Sequence, residues 1–211
     1  MEPEYRDFYE LQKARRSVSN FDPDKHVDDE LLEKIIEQAA LAPSSFNLQP
    51  WRILAVKSQE KRQEVYDTGA CEQEKVLKAP VLLVVLGDRK GYKRYNPMWD
   101  VKKDLGKLDE DSVQNIIESV SNGVYGTDDK ELGFAVRNSS LMAMSIMYTA
   151  KYYGVDTHPM IGFSPEKIKE LFDLSDSMEV TVLISLGYFD ESAELSPRET
   201  RLSYDEIVEE Y

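Results

Sequence analysis

The chain has 211 residues, of which 41% are hydrophobic, and this is enough for one substantial domain with a buried core. Its formal net charge of −14 disfavours nucleic acid or an anionic membrane surface as partners, since both require a basic protein face. The single cysteine, Cys71, excludes an intrachain disulfide, and two widely separated histidines, His26 and His158, argue against a transition-metal site.

The sequence carries no sign of export or membrane insertion. The stretch MEPEYRDFYE at 1–10 lacks the apolar segment of a secretory signal, and no run of 18 apolar residues occurs. We therefore expect a cytoplasmic protein in a reducing compartment.

Hydrophobic periodicity and capping residues predict six helices and three strands. In chain order they are a helix over 5–16, a helix from the N-cap Asp28 to Ala40, a strand over 52–56, a polar helix over 58–68, a strand over 80–87, an amphipathic helix over 113–120, a buried helix over 138–153, a helix that opens at Ser164 and a strand over 180–188. The strand at 80–87 is apolar throughout, which is typical of a central strand covered on both faces. The elements predict one α+β domain over 1–211, with a mixed central sheet covered by helices.

The region 90–132 is the part of this domain with the weakest pattern. A loop is predicted around three glycines, which are Gly123, Gly126 and Gly133. The aromatic residues Tyr92, Tyr95 and Trp99 support two interpretations: they either form a lid over a site or pack locally.

Two short segments combine groups suited to an anionic, aromatic ligand. RRSVSNF at 15–21 supplies Arg15 and Arg16, whose guanidinium groups match a phosphate. APSSFNLQPW at 42–51 begins where a helix stops and carries hydroxyl and amide groups that suit a planar heterocycle or a sugar-like chain, namely those of Ser44, Ser45, Asn47 and Gln49. The plainer alternatives are that the arginines end a helix and that the serines are ordinary turn residues.

These two segments, separated by one amphipathic helix, resemble the FMN-dependent nitroreductase family. The resemblance continues through KVLKAPVLLVVLGD at 75–88, the helix that starts at Asn138, AKYYGVDTHPMIGF at 150–163, the strand that ends in LGY at 186–188, and PRETRL at 197–202. Order and spacing agree over nearly the whole chain, and only 90–132 is not diagnostic.

The resemblance implies a nitroreductase-like fold in a dimeric three-layer α/β/α arrangement, with two FMN sites at the homodimer interface. NADH or NADPH is expected to pass hydride to flavin N5, and the reduced flavin to reduce a nitroaromatic, a quinone or a similar small molecule with ping-pong kinetics. The rival interpretation is a non-catalytic protein that binds FMN for storage or sensing.

The resemblance also implies the cofactor contacts, position by position. Expected from one chain are Arg15, Arg16 and Ser17 near the phosphate and ribityl chain, Lys75 near the pyrimidine edge, Ile161 and Gly162 with the Gly162 backbone facing N5, and Arg201 with Arg198 as a further phosphate ligand. Ser19 and Gln73 are also expected in the cofactor site, and the partner chain is expected to supply Pro43, Ser44, Ser45 and Asn47. No catalytic side chain and no metal is implied, because the flavin carries the chemistry.

Two positions depart from the family pattern. Ser19 stands where members often carry Lys or Arg, which leaves Lys75 as the cation near the ring. The flavin is therefore expected to have a lower reduction potential than in relatives that have both cations. Glu72 stands where some relatives have an amide that contacts the flavin, and the neighbouring Gln73 is a candidate to replace it.

Several residues in these segments also have plainer interpretations. Lys75 fits a solvated surface lysine, and His158 fits a loop residue as well as one that approaches the site. Trp51 is expected in the core. Three methionines are expected as core fillers, namely Met142, Met144 and Met147.

Overall fold

The computed structural model describes Glu4 and residues 7–211, which form four strands and nine α-helices with two short turns of other helix types. In chain order they are α1 (Phe8–Ala14), α2 (Asp29–Ala39), a 3-10 turn (Ser45–Asn47), β1 (Trp51–Val56), α3 (Gln59–Asp67), α4 (Lys75–Lys78), β2 (Val81–Asp88), α5 (Met98–Asp104), α6 (Glu110–Val120), a π turn (Ser121–Tyr125), α7 (Asp128–Tyr152), β3 (Asp156–Met160), α8 (Pro165–Leu171), β4 (Met178–Gly187) and α9 (Tyr204–Ile207).

The four strands form one sheet in the order β1-β2-β4-β3. All three ladders are antiparallel, so the prediction of a mixed sheet is wrong for the ladders of the described chain. Parallel pairing is limited to an isolated bridge between Ser17 and Thr157. The α+β class itself is confirmed.

Strand β2 is buried along its whole length, as its apolar sequence predicts. Alternate residues of β2 enter two cores on opposite faces of the sheet, one with α2 and α7 and the other with α3, α4 and α8. Gly87 permits the close approach of α7, because a Cβ there would lie 2.5 Å from the backbone oxygen of Ala135. The sheet therefore separates two layers of helices.

The first two predicted helices are found, with different bounds. Residues 5 and 6 of the helix expected over 5–16 lie outside the described residues, and α1 begins after Asp7, whose Oδ1 accepts from the Glu10 N–H at 3.0 Å. Asp28 is the N-cap of α2 by position, but its side chain makes no capping hydrogen bond.

Helix α7 begins ten residues earlier than the sequence predicts, at Asp128 rather than Asn138. Its first turn carries three carboxylates that favour a helix N-terminus, namely Asp128, Asp129 and Glu131. Gly133 lies inside this helix and not in the predicted loop, because a single helical glycine costs only about 1 kcal/mol. The prediction that the helix over 138–153 is buried is wrong at Leu141, which is 48% exposed.

The region 90–132 forms a satellite core beside the sheet. Tyr92 and Trp99 are fully buried in it and pack locally, so neither is a lid. Tyr95 is exposed, and its hydroxyl donates to Asp88 Oδ2 at 2.7 Å. Leu48 also enters this core, which places the region 90–132 directly beside the 42–51 segment.

The core predictions for the other apolar residues are confirmed. Trp51 and Met142 are buried in the core that contains α2 and α7, and Met144 packs against it. Within the part of the chain that the structure describes, no helix is long and apolar enough to cross a bilayer. No group of three or more His, Cys, Asp or Glu residues there is placed to hold a metal ion.

Candidate functional site

The chain that follows β4 crosses the end of α1 and is held there by arginines. Arg198 Nη2 donates to the backbone oxygens of Lys13 at 2.6 Å and Arg15 at 2.9 Å. Arg16 Nη2 donates in the opposite direction, to the backbone oxygen of Ser196 at 2.6 Å. These bonds bring residues from the two ends of the sequence to the same place.

The result is a guanidinium cluster made of Arg15, Arg16, Arg198 and Arg201. None of the four forms an ion pair with any carboxylate of the described chain, although the chain is strongly acidic. Burial lowers the pKa of Arg15, and the nearby charges of Arg198, Arg201 and Arg16 lower it further. Like charges held together without a counter-ion make a site for a multiply charged anion.

The segment after the cluster runs along the outer edge of β3. Ser17 bridges Thr157 in parallel, and the Val18 N–H donates to the Thr157 oxygen at 3.3 Å. Ser17 and Ser19 are exposed, so their hydroxyls are free to meet a ligand at this edge. The structure thus places both serines beside the guanidinium cluster.

A second polar group lies at the far end of β3. Gln73 Nε2 donates to the backbone oxygen of Gly162 at 3.1 Å, and Lys75 Nζ donates to Gln73 Oε1 at 3.2 Å. Glu72 points elsewhere, with its carboxylate beside Gly69. Of the two alternatives for the amide position, the geometry therefore favours Gln73.

The backbone that follows β3 is open to ligands. Ile161 is 83% exposed, and Gly162 is exposed as well. The Gly162 N–H has no hydrogen-bond partner within the described part of the chain, so it is available as a donor. From the bridge at Thr157 to Gly162 the strand rise gives about 16 Å. The edge of β3 thus has an anion site at one end and a free peptide donor at the other.

The loop over 43–49 is held in place by helix α7. The Ser45 N–H donates to Asn138 Oδ1 at 2.8 Å, and Asn138 is almost fully buried. Inside the loop, the Gln49 N–H donates to Ser44 Oγ at 2.9 Å. Asn138 therefore supports the loop, a role that the sequence motifs did not predict; the available signal was an amide at the start of the apolar stretch of α7.

The same loop stores backbone strain. Phe46, Asn47 and Gln49 have φ angles of 53°, 52° and 48°, in the left-handed region that favours glycine. Asn96 braces the loop from the 90–132 side, since its Nδ2 donates to the Leu48 oxygen at 2.9 Å. Strain held by surrounding contacts is frequent at ligand-binding sites.

The loop over 43–49 and the guanidinium cluster lie at diagonally opposite corners of the sheet. The loop enters β1 at Trp51, level with Glu179 of β4, whereas Thr157 of β3 is level with Leu186 of β4. The two corners are therefore separated by three strand spacings across the sheet, roughly 14 Å, and by seven residues along β4, roughly 23 Å. Within one chain, a single small ligand therefore does not reach both.

The structure thus divides the predicted site residues into two sets. The edge of β3 carries Arg15, Arg16, Ser17, Ser19, Gln73, Lys75, Ile161, Gly162, Arg198 and Arg201. The opposite corner carries Pro43, Ser44, Ser45 and Asn47.

His158 lies between the groups at the β3 edge. Its Nδ1 is 2.8 Å from the backbone oxygen of Val18. Burial lowers the pKa of His158 despite that hydrogen bond, and the charges of Lys75 and Arg15 lower it further. The residue is part of strand β3, so the plain loop interpretation is wrong.

Sequence and structure comparisons identify the family of the chain. The sequence model of the nitroreductase family matches residues 13–188, and the chain belongs to that family. The "Putative NAD(P)H nitroreductase MhqN" of Bacillus subtilis (strain 168) is 33% identical over 204 residues, which cover 96% of this chain and 98% of that protein.

Two solved structures illustrate the shared fold. A nitroreductase family protein from Streptococcus pneumoniae TIGR4 superposes with a TM-score of 0.81 at 30% identity, over 97% of this chain and 100% of the other. A "putative nitroreductase in complex with FMN" from Exiguobacterium sibiricum 255-15 superposes with a TM-score of 0.83 at 26% identity, over 99% of each chain.

Proposed function

We propose that the protein is an FMN-dependent oxidoreductase that takes hydride from NADH or NADPH and passes the electrons to a small acceptor such as a nitroaromatic or a quinone. The observation that carries the proposal is the guanidinium cluster, which lacks carboxylate partners among the described residues and lies about 16 Å along β3 from a free backbone N–H. An elongated ligand with a phosphate at one end and a flat polar ring at the other suits this edge.

The chain's own residues then have distinct tasks. Arg15 and the other cluster arginines hold the phosphate through charge-assisted hydrogen bonds. Lys75, oriented by Gln73, supplies positive charge where the reduced ring gathers electrons. The Gly162 N–H would be the donor available to the redox-active nitrogen of bound FMN, and Gln73 holds the backbone oxygen of Gly162. FMN supplies the hydride chemistry itself, so no side chain is needed as acid or base.

The remaining predicted residues are proposed to act from a second copy of the chain. Ser44, Ser45 and Asn47 lie too far from the cluster to serve the same ligand within one chain. A homodimer that places this loop over the β3 edge of its partner would complete each site. The region 90–132, which packs beside the loop, would then lie near the acceptor.

Reduction of the bound flavin tests the proposal directly. The purified protein should be yellow after incubation with FMN and gel filtration, and anaerobic NADPH or NADH should bleach it. Addition of a quinone or nitroaromatic without oxygen should restore the colour, as a ping-pong mechanism requires. Colour without bleaching by either nicotinamide would favour the storage or sensing protein, and a colourless protein would overturn both interpretations.

A further inference from the structure

His158 is a titratable group of the cofactor site that the proposed function does not use. The Val18 oxygen can only accept a hydrogen bond, so the contact at 2.8 Å requires the proton of a neutral imidazole to lie on Nδ1. Nε2 is then left with a free lone pair. The ring is half-buried, so its orientation is set by the strand and by Val18.

The sheet register shows which groups surround the ring. His158 pairs with Ser185 on β4, and the Ser185 hydroxyl donates to the Lys75 backbone oxygen at 3.0 Å. Paired residues share a face of the sheet, so His158 lies on the face that carries α4. Arg15 acts on it from the end of α1.

The charges that reach His158 are positive. Lys75 from α4 and Arg15 from the chain after α1 both disfavour a second proton on the ring. Asp156, two residues earlier on β3, is already paired with Lys151 at 2.9 Å. His158 is therefore mainly neutral at pH 7 as long as no anion occupies the site, because burial and both cations hold its pKa below the usual value.

An anion bound between these cations reverses the balance. A dianionic phosphate at the guanidinium cluster would offset the field of Arg15, and the carbonyl oxygens of a bound ring would reduce that of Lys75. Ser19 provides no fixed cation on this side of the site, so His158 is the residue there that can gain a charge. Nε2 would then carry the added proton.

We propose that binding of the anionic cofactor is coupled to uptake of one proton from solvent by His158 Nε2. The inference rests on the proposed function, because FMN is the anion in question. His158 would thereby act as a positioning residue with a conditional positive charge, in place of the fixed cation that Ser19 does not provide.

The direction of the pH dependence follows from linkage. Since the pKa of His158 is higher with FMN bound than without, the affinity for FMN gains from protonation at low pH and loses that gain as the pH rises through the bound-state pKa. Each unit of pKa difference corresponds to a tenfold change in Kd across this range. The FMN phosphate gains its second negative charge as the pH rises through about 6, and this change by itself strengthens FMN binding at higher pH.

Proton NMR of the imidazole signals tests the coupling without disturbing the site. The chain has two histidines, so tag-free His26→Asn protein leaves one imidazole, that of His158. His26 is exposed, so its replacement should not disturb the fold. We expect the His158 pKa to lie below 6.5 without FMN and to rise by at least one unit when FMN is bound.

A matched variant links the titration to binding. In His158→Asn the amide keeps a donor for the Val18 oxygen but cannot titrate. The Kd for FMN is measured by flavin fluorescence between pH 5.5 and 8.5. In His26→Asn, protonation of His158 should strengthen FMN binding at low pH, and in His158→Asn this strengthening should be absent. A His158 pKa that stays unchanged in the yellow, FMN-bound protein would overturn this inference alone. Failure to bind FMN at any pH would overturn the proposed function with it.

Discussion

Arg15 is the residue whose replacement tests the anion site most simply. It belongs to the guanidinium cluster, is half-buried and forms no ion pair with a carboxylate of the described residues. Burial and the other cluster arginines lower its pKa. A charged hydrogen bond of this kind contributes about 1.5–3 kcal/mol, so Arg15→Ala should raise the Kd for FMN roughly ten- to hundredfold.

Equilibrium dialysis with FMN measures this change. Lys57→Ala is a suitable control, because Lys57 is an exposed cation that follows β1 at the end remote from the loop over 43–49 and lies away from the β3 edge. The control should bind FMN like the unmodified protein. Full flavin occupancy of Arg15→Ala after extended dialysis would show that Arg15 does not hold the phosphate.

We expect the residue at position 19 to influence how strongly the proposed site favours the reduced flavin. Ser19→Arg replaces an exposed neutral hydroxyl near the outer edge of β3 with a fixed cation. The added charge should stabilise the reduced, electron-rich ring by about 1 kcal/mol, which raises the two-electron midpoint potential on the order of 20 mV. A spectroelectrochemical titration compares Ser19→Arg with Ser19→Ala. Equal midpoints in the two variants would contradict a role for charge at this position.

At the scale of elements, the loop over 43–49 depends on helix α7. Asn138→Ala removes the acceptor of the Ser45 N–H and the donor to the Phe134 oxygen, so the strained loop loses its contact with α7. The lost hydrogen bonds should lower the free energy of unfolding by about 1–3 kcal/mol. Urea denaturation measures the loss, and Ser140→Ala on the exposed side of α7 is the control. Equal urea midpoints for the two variants would mean that Asn138 does not support the loop.

Most helices and strands could be predicted because their signals are local. The apolar run of β2, the period of α2 and the Ser164 cap of α8 each follow from neighbouring residues, and each is found. The start of α7 was missed because glycines are frequent in loops, whereas its acidic first turn and packing on β2 favour a helix. Strand β3 was missed because its pairing depends on β4, which is distant in sequence.

The residue types of the candidate site could also be predicted, but their grouping could not. The motifs identified Arg15 and Arg198 separately, and only the path of the chain after β4 shows that they meet. The sequence left His158 either as a loop residue or as one that approaches the site; the sheet register places it on the face that carries Lys75, and Arg15 lies near it. Long-range pairing therefore sets the site's electrostatics, and this information is not local in the sequence.

At the scale of the whole molecule, the proposed function requires a second copy of the chain to join the two corners of the sheet into one site. The loop over 43–49 and the guanidinium cluster are separated by roughly 14 Å across the sheet and 23 Å along it. A two-fold dimer would bring the loop of each chain to the cluster of the other and would create two equal sites. The exposed Leu141 on the outer face of α7 offers apolar surface for such contact.

Complementation between two defective chains tests this shared site most directly. Arg15→Ala damages the cluster, and Asn47→Gly removes a loop amide while it suits the φ of 52°. Each homodimer should bind FMN weakly at both sites. A heterodimer purified through two different tags should regain one tight site, where the intact cluster of one chain meets the intact loop of the other, and should hold one FMN per dimer. A heterodimer that binds FMN no better than either homodimer would contradict the account, because it would place each complete site within a single chain.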